Sequence, residues 1–119
     1  MQYFLTVPHD SATEPTMESE LDVDPAAFEQ LMADVQKFNE DLEASGAFRF
    51  AGGLQPPSTA KTIDATDGEA TVLEEPFVAA DAYVGGFWVI DTDSEADAVA
   101  WAERASRVLQ SRIEIRELQ

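Results

Sequence analysis

The chain of 119 residues contains no cysteine, only two lysines and a single histidine. The lack of cysteine excludes disulfides, thiolate nucleophiles and thiolate metal sites. No stretch approaches the roughly 20 consecutive apolar residues of a membrane-spanning helix. The opening residues also lack the basic-then-apolar order of a secretory signal. We therefore expect a cytoplasmic protein that does not cross a membrane.

Basic residues are few: seven Lys and Arg stand against 24 Asp and Glu, a formal net charge of -17. Because so negative a surface repels nucleic acids and anionic membranes, we expect neither as a partner. The hydrophobic share is nonetheless 45%, which suits a single folded domain over residues 1–119. Two interpretations of the acidity stay open: a surface adapted to strong salt, or a GC-rich genome that favours Ala, Asp, Glu and Arg over Lys.

Sequence periodicity predicts two helices and six strands. One helix begins at Asp24-Pro25, a capping carboxylate followed by proline at the first helical position, and ends at Gly46. The other begins at Ser94, with Asp97 three residues later in a capping-box arrangement. Strands are predicted at 2–7, 48–50, 61–65, 70–73, 87–90 and 112–118, with a long loop over 9–22. The turn between the third and fourth strands is Thr-Asp-Gly-Glu, a hairpin signal.

The order strand, helix, strand, hairpin, strand, helix, strand predicts an α+β domain. Two strand-helix-strand units around a central hairpin give an antiparallel sheet with both helices on one face. The other face would expose more apolar area than a monomer usually tolerates. We therefore expect a symmetric homodimer in which two such faces pack together.

Four segments carry a family resemblance: the opening MQYFLTVPHD, then GGLQPPSTAKTI, LEEPFVAADAYVGGFWVID and the closing RIEIREL. Together they resemble the YCII-related domain family and, more closely, its DGPF-type branch. The resemblance covers almost the whole chain. It implies a ferredoxin-like fold that dimerises into an α/β-barrel arrangement, in a family whose function is rarely established.

The chain departs from that branch at the motif from which the branch is named. The family's Asp-Gly-Pro-Phe stands here as Glu74-Glu75-Pro76-Phe77. Glu74 keeps a carboxylate, whereas Glu75 replaces a glycine that adopts positive φ at little cost. Between Pro-Phe and Gly-Gly the family often carries charged residues, commonly Lys and Glu. This chain has Ala-Asp-Ala-Tyr there, so a role that a lysine has in this segment of the family cannot be assigned to this chain.

His9 is the side chain that titrates near neutral pH, and it directly follows the first strand. Sites are commonly built on the loops at strand ends, and a carboxylate within reach would make His9 a general acid–base group. Adjacent Asp10 points away from His9 on an extended chain, so Glu74 is the better geometric partner. His9, Asp10 and Glu74 are therefore the candidate catalytic residues. The alternative for His9 is a surface histidine in a Pro-flanked turn.

Five further residues are candidates for a ligand pocket or its motif: Gln55, Pro76, Phe77, Gly86 and Trp88. We expect Pro76 to set a rigid turn with Phe77 packed beneath it. Gly86 and the glycine before it precede a strand, not a helix N-terminus, which favours a bulge or a close backbone approach over phosphate binding. Trp88 is expected in the core. Its strand neighbours Phe87 and Val89 point to the opposite face of the sheet. Either Trp88 or these two neighbours therefore face the cavity between the subunits of the expected dimer.

No spacing in the sequence resembles a dedicated metal site, a nucleophilic serine motif or a dinucleotide fingerprint, so we expect no metal and no cofactor. The leading hypothesis is a dimeric YCII-like domain with a small-molecule pocket whose polar corner is formed by His9, Asp10 and Glu74. If it is an enzyme, we expect cofactor-free proton-transfer or lyase chemistry on a small organic molecule, with His9 as acid or base. The alternative is a non-catalytic module that binds a small ligand or serves dimerisation. A third hypothesis is a stress or salt-adaptation protein without a ligand.

Overall fold

A computed structural model describes residues 1–9 and 25–119. Its elements are β1 (Gln2–His9), α1 (Pro25–Ser45), β2 (Phe48–Gly53), β3 (Thr62–Asp64), β4 (Thr71–Leu73), β5 (Tyr83–Asp91), α2 (Glu95–Leu109) and β6 (Glu114–Glu117). This is the predicted order of strands and helices. The loop predicted over 9–22, apart from His9 itself, lies outside the described residues. No helix in the described part of the chain is long and apolar enough to cross a bilayer.

Four strands form one sheet in the order β2-β5-β1-β6, with every neighbouring pair antiparallel. The β3–β4 hairpin forms a second sheet of two strands. The mixed α+β composition and the antiparallel sheet are as predicted, and the strand order is consistent with a ferredoxin-like fold.

The core lies between the four-stranded sheet and the two helices. Alternate residues of β1 and β5 face the helices, since side chains of a strand alternate between its faces. The buried apolar residues are Tyr3, Leu5, Phe38, Leu42, Ala47, Trp88, Ile90, Ala98, Ala102 and Ala105. The buried residues of α2 are three alanines, and Trp101 and Leu109 of the same helix pack against the core. Residues of both helices belong to this one core cluster, so both helices pack on the same face of the sheet.

The helix ends follow their sequence signals. The Ser94 hydroxyl accepts a hydrogen bond from the Asp97 N–H at 3.2 Å, which confirms the predicted cap of α2. Gly46 ends α1 with a φ of 80°, the left-handed conformation that glycine adopts most easily. Gln110 ends α2 in the same region of φ, at 52°, although it is not a glycine. The predicted Asp24 cap of α1 lies outside the described residues.

A bulge in β2 interrupts the regular alternation that would place Phe48 and Phe50 on one face of the sheet. Phe48 pairs with Ile90, and Phe50 with the preceding Val89, so Arg49 is an extra residue on β2. Such an insertion turns the following side chains to the other face of the sheet. Phe48 consequently packs against the core, whereas Phe50 lies on the opposite face and is 60% exposed.

Apolar residues recur at helical spacing along α1, but they are buried only toward its C-terminal end. Phe38 and Leu42 are fully buried, but Phe28 and Leu31 are half-buried and Met32 is exposed. The first half of this helix therefore contributes less to the core than its periodicity suggests.

Candidate functional site

The strands β1 and β5 meet irregularly where β1 ends. The backbone of His9 pairs with Tyr83 at the start of β5. Val7 pairs with Gly86 but Pro8 pairs with Val84, so one extra residue is accommodated on β5 between them. This confirms the bulge that the paired glycines predict.

Four of the six glycines of the chain lie together at this end of the sheet, at the ends of β2 and β5: Gly52, Gly53, Gly85 and Gly86. A Cβ atom on Gly86 would lie 3.4 Å from the carbonyl oxygen of Gly52, and one on Gly52 would lie 3.3 Å from the Phe87 ring. The Gly85 carbonyl accepts from the Leu54 N–H at 2.8 Å. The two strands therefore approach closely with no side chain between them.

A cavity of about 380 Å³ opens beside these glycines, bordered by β1, β2, β5 and both helices. We call it the glycine cavity. Besides the four glycines, Val7, Pro8, Val35, Asn39, Trp88 and Leu109 contribute to its walls. Two of the predicted pocket residues, Gly86 and Trp88, are thus brought together here. Its volume is within the usual range for small-molecule pockets.

Trp88 belongs both to the core and to the wall of the glycine cavity. Its side chain is 6% exposed and packs edge-on against Phe38, with ring centroids 5.3 Å apart. The indole N–H donates to the Asn39 Oδ1 atom at 2.8 Å. The core position predicted for Trp88 is therefore confirmed. Within the described residues the Asn39 Nδ2 amino group has no partner, which leaves it as a donor at the cavity wall.

Asn39 is a site residue that sequence reasoning missed. It stands four residues after Val35 and three before Leu42, so it occupies an apolar-stripe position of α1. A polar residue at such a position was the available signal, because it must find a partner when the stripe is buried.

The sheet face opposite the helices carries a row of aromatic rings. The Phe87 ring lies 5.4 Å from Phe4 and 5.9 Å from Phe50, between centroids. We call these three residues the phenylalanine row. Phe4 and Phe87 are half-buried by their neighbours, whereas Phe50 remains largely exposed. No helix in the described part of the chain packs on this face.

Of the other predicted site residues, Glu74 directly follows the β3–β4 hairpin and Gln55 lies between β2 and β3. Glu74 is exposed and its carboxylate stands 3.8 Å from the Lys61 Nζ atom. The Glu75 carbonyl accepts from the Thr62 hydroxyl at 2.8 Å. Neither Glu74 nor Gln55 lines the glycine cavity. Asp10 lies outside the described residues, so its pairing with His9 stays a prediction.

The expected packing of Phe77 beneath the turn is wrong. Pro76 is half-buried, but Phe77 is 88% exposed. The hairpin beside it offers nothing to pack against, because its apolar residues Ile63 and Val72 are themselves exposed.

The clearest charge cluster joins the two helices. Hydrogen bonds from Lys37, at 2.7 Å, and from Arg104 hold the pKa of the Asp41 carboxyl below its usual value of 3.8. The Arg104 guanidinium also lies 5.5 Å from the Phe38 ring centroid and 5.7 Å from that of Trp101. This cluster lies outside the glycine cavity and ties α1 to α2. Across the described residues, no three acidic or histidine side chains are grouped to hold a metal ion.

Comparison with protein-family models matches the YCII-related domain over residues 1–119. The match spans the full chain, so it covers both the strand-end region and the hairpin. Comparison with curated proteins finds no match.

Proposed function

The chain belongs to the YCII-related domain family, and on that premise we propose that it is a homodimeric, cytoplasmic protein that binds a small organic molecule in the glycine cavity. We further propose that it belongs to the DGPF-type branch. On this proposal His9 is the acid or base of cofactor-free proton-transfer or lyase chemistry. The proposal rests on the glycine cavity, which lies at the strand ends and is lined by Pro8, the residue before His9.

The walls of the glycine cavity indicate the chemistry of its ligand. Val7, Val35, Leu109 and the Trp88 ring offer apolar surface, while the Asn39 amino group offers a hydrogen-bond donor. Pockets of this type bind through apolar contact and orient the ligand through a few polar groups. We infer a small, mostly apolar and uncharged molecule with a hydrogen-bond acceptor such as a carbonyl oxygen.

The position of His9 in the chain supports its proposed role. Pro8 lines the glycine cavity, and His9 follows it as the last residue of β1. An imidazole changes its protonation near neutral pH, so it can exchange a proton with a bound molecule without a cofactor. On this proposal the partner carboxylate is Glu74 or Asp10.

The homodimer is proposed from the apolar surfaces that remain outside the core. The phenylalanine row ends in exposed Phe50, and the hairpin exposes Ile63, Val72 and Leu73. An isolated two-stranded hairpin is marginally stable in water, so it needs a surface to pack on. A second copy of the chain, with the two uncovered sheet faces opposed, would supply that surface and form the barrel-type arrangement.

Ligand binding is tested by NMR with acetophenone, a small neutral ketone, as the probe. Because His9 is the single histidine, its imidazole protons give an unambiguous signal; the Trp88 indole proton is identified with a Trp101→Phe variant. We expect acetophenone to shift the His9 and Trp88 signals together.

A blocking variant shows whether the shifts arise in the cavity. Gly53→Leu adds bulk there, and a Cβ atom at this position meets no atom within 4 Å. Ala44→Leu adds similar bulk on the exposed surface of α1. Loss of the shifts in Gly53→Leu alone supports the proposal. Equal shifts in both variants, or none in the unmodified protein, would overturn it.

Dimerisation is tested separately by sedimentation velocity. We expect a mass near twice the 13.0 kDa of the chain, and Phe50→Glu should shift the protein toward the monomer. Val99→Glu adds the same charge at an exposed apolar position on α2 and should leave the dimer intact. A clean monomer at micromolar concentration would contradict the proposed assembly.

A further inference from the structure

The first half of α1 carries apolar side chains that the core covers only in part. Phe28, Met32 and Val35 follow one another at spacings of four and three residues, so they lie on one face of the helix. Phe28 and Val35 are half-buried, and Met32 is 41% exposed. Asn39 continues the same face toward the end of the helix. We call these four residues the α1 strip.

The α1 strip is continuous with the glycine cavity. Its members line one recess on the surface of α1, and Val35 and Asn39 also line the glycine cavity. The two spaces therefore meet at these two residues. From Val35 to Phe28 the strip extends about 10 Å, because an α-helix rises about 1.5 Å per residue. A ligand too long for the glycine cavity can consequently continue along the strip.

Asn39 stands where the two spaces meet. Its Oδ1 atom accepts from the Trp88 indole N–H at 2.8 Å, so the Nδ2 amino group is the part of the amide that remains to donate to a ligand. A carbonyl oxygen bound there has the glycine cavity on one side and the α1 strip on the other. The position of this donor therefore favours a carbonyl group between two apolar arms, as in a ketone or an ester, over a carbonyl group at the end of a molecule.

The charges beside the α1 strip are acidic. Glu29, Glu40 and Glu43 line the same recess, and no arginine or lysine is among its described lining residues. The whole chain carries a net charge of -17. Because like charges repel, a ligand whose arm ends in a carboxylate is disfavoured at this surface.

The α1 strip stays open to solvent when the proposed homodimer forms. Both helices contribute to the core on one face of the sheet, whereas the phenylalanine row lies on the other. Two copies joined through the faces that carry this row therefore leave their helices on the outside of the dimer.

We propose that the glycine cavity and the α1 strip form one elongated site for a neutral molecule with a carbonyl group between two apolar arms. One arm occupies the cavity, the carbonyl oxygen accepts from the Asn39 amino group, and the longer arm lies along Val35, Met32 and Phe28. This inference rests on the proposed ligand binding in the glycine cavity, and it adds the class of ligand and the residues that select the length of its second arm.

The test compares acetophenone with hexanophenone, which has the same phenyl ketone and a longer alkyl arm. Calorimetric titration of the full chain measures both dissociation constants. Complete burial of a methylene group tightens binding about fourfold. Since the strip is open to solvent on one side, we expect about twofold per methylene group and about 10- to 20-fold tighter binding of hexanophenone. The analogue 5-benzoylpentanoate, in which a carboxylate replaces the terminal methyl group, should bind at least about 10-fold more weakly than hexanophenone.

A pair of matched variants locates the longer arm on the strip. Met32→Glu places a charge in the middle of the strip, so the affinity ratio of hexanophenone to acetophenone should fall to near one. Val99→Glu adds the same charge at an exposed apolar position of α2 and should leave that ratio unchanged. Sedimentation velocity is measured on both variants. A lower mass in Met32→Glu alone would make the strip a contact between copies of the chain and would overturn the proposal.

The titrations separate failure of this inference from failure of the proposed function. Equal binding of acetophenone and hexanophenone, or the same affinity ratio in Met32→Glu as in Val99→Glu, would refute the elongated site while ligand binding in the glycine cavity stands. Tighter binding of 5-benzoylpentanoate than of hexanophenone would refute the preference for a neutral arm. Absence of binding for both ketones would refute the elongated site and the proposed function together.

Discussion

Replacing Trp88 with phenylalanine removes the indole N–H that donates to Asn39 and leaves part of the core unfilled. A lost hydrogen bond of this kind lowers the free energy of unfolding by about 1 kcal/mol. The smaller ring removes on the order of 40 Å³, which at about 24 cal/mol per Å³ adds about 1 kcal/mol. We therefore expect Trp88→Phe to reduce the free energy of unfolding by about 2 kcal/mol.

The assay is urea denaturation followed by far-ultraviolet circular dichroism at one fixed protein concentration, because dimerisation would make stability concentration-dependent. The matched control is Trp101→Phe, since the Trp101 indole N–H has no partner within the described residues and the ring is half-buried. We expect this control to cost about 1 kcal/mol or less.

A double-mutant cycle isolates the hydrogen bond from the packing. Asn39→Ala and Trp88→Phe should together cost less than the sum of the single variants, by about 1 kcal/mol. Additive effects, or a cost of Trp88→Phe no greater than that of Trp101→Phe, would refute the inferred link between α1 and β5.

Three other predictions concern charge and backbone conformation. Two copies of a chain of net charge -17 repel each other, so the dissociation constant of the proposed dimer should fall as NaCl rises from about 0.1 to about 1 M; sedimentation equilibrium measures it, and weaker association would contradict this. Lys37 and Arg104 lower the pKa of Asp41 from 3.8, so their stabilisation is complete above that pH and disappears as the pH falls through the lowered pKa. Asp41→Asn should flatten the acid side of the melting-temperature profile, and an unchanged profile would count against the cluster. Gln110 has a φ of 52°, a conformation that destabilises a residue with a side chain by about 1 kcal/mol. Gln110→Gly removes this strain together with the exposed hydrogen bond from the Gln110 amide to the Arg107 carbonyl, so it should raise the free energy of unfolding in urea by about 0.5 kcal/mol, and a decrease would contradict the strain.

Local signals in the sequence predicted the local structure well. The Ser94 cap and the Gly46 terminus depend on contacts within a few residues, and the hairpin depends on its own turn. The bulge at Arg49 was missed, because alternation predicts a face only while the pairing is regular. It separates Phe48 from Phe50, which a regular strand would place on one face.

The candidate site depends on long-range contacts and was therefore only partly predictable. Gly86 and Trp88 were chosen as pocket residues and do line a common cavity. The exposure of Phe77 depends on what the hairpin packs against, which no local pattern contains. The role of His9 and its carboxylate partner stays a prediction.

The four glycines at the ends of β2 and β5 leave bare main chain at the wall of a cavity. Nearly every residue offers the same backbone N–H and C=O groups. The binding of a ligand that contacts only the backbone is therefore unaffected by most side-chain substitutions. Adding a side chain at Gly53, by contrast, would narrow the cavity directly, because a Cβ atom at this position meets no other atom within 4 Å. Divergence of ligand size among descendants of this chain should accordingly appear as alanine or serine at this position.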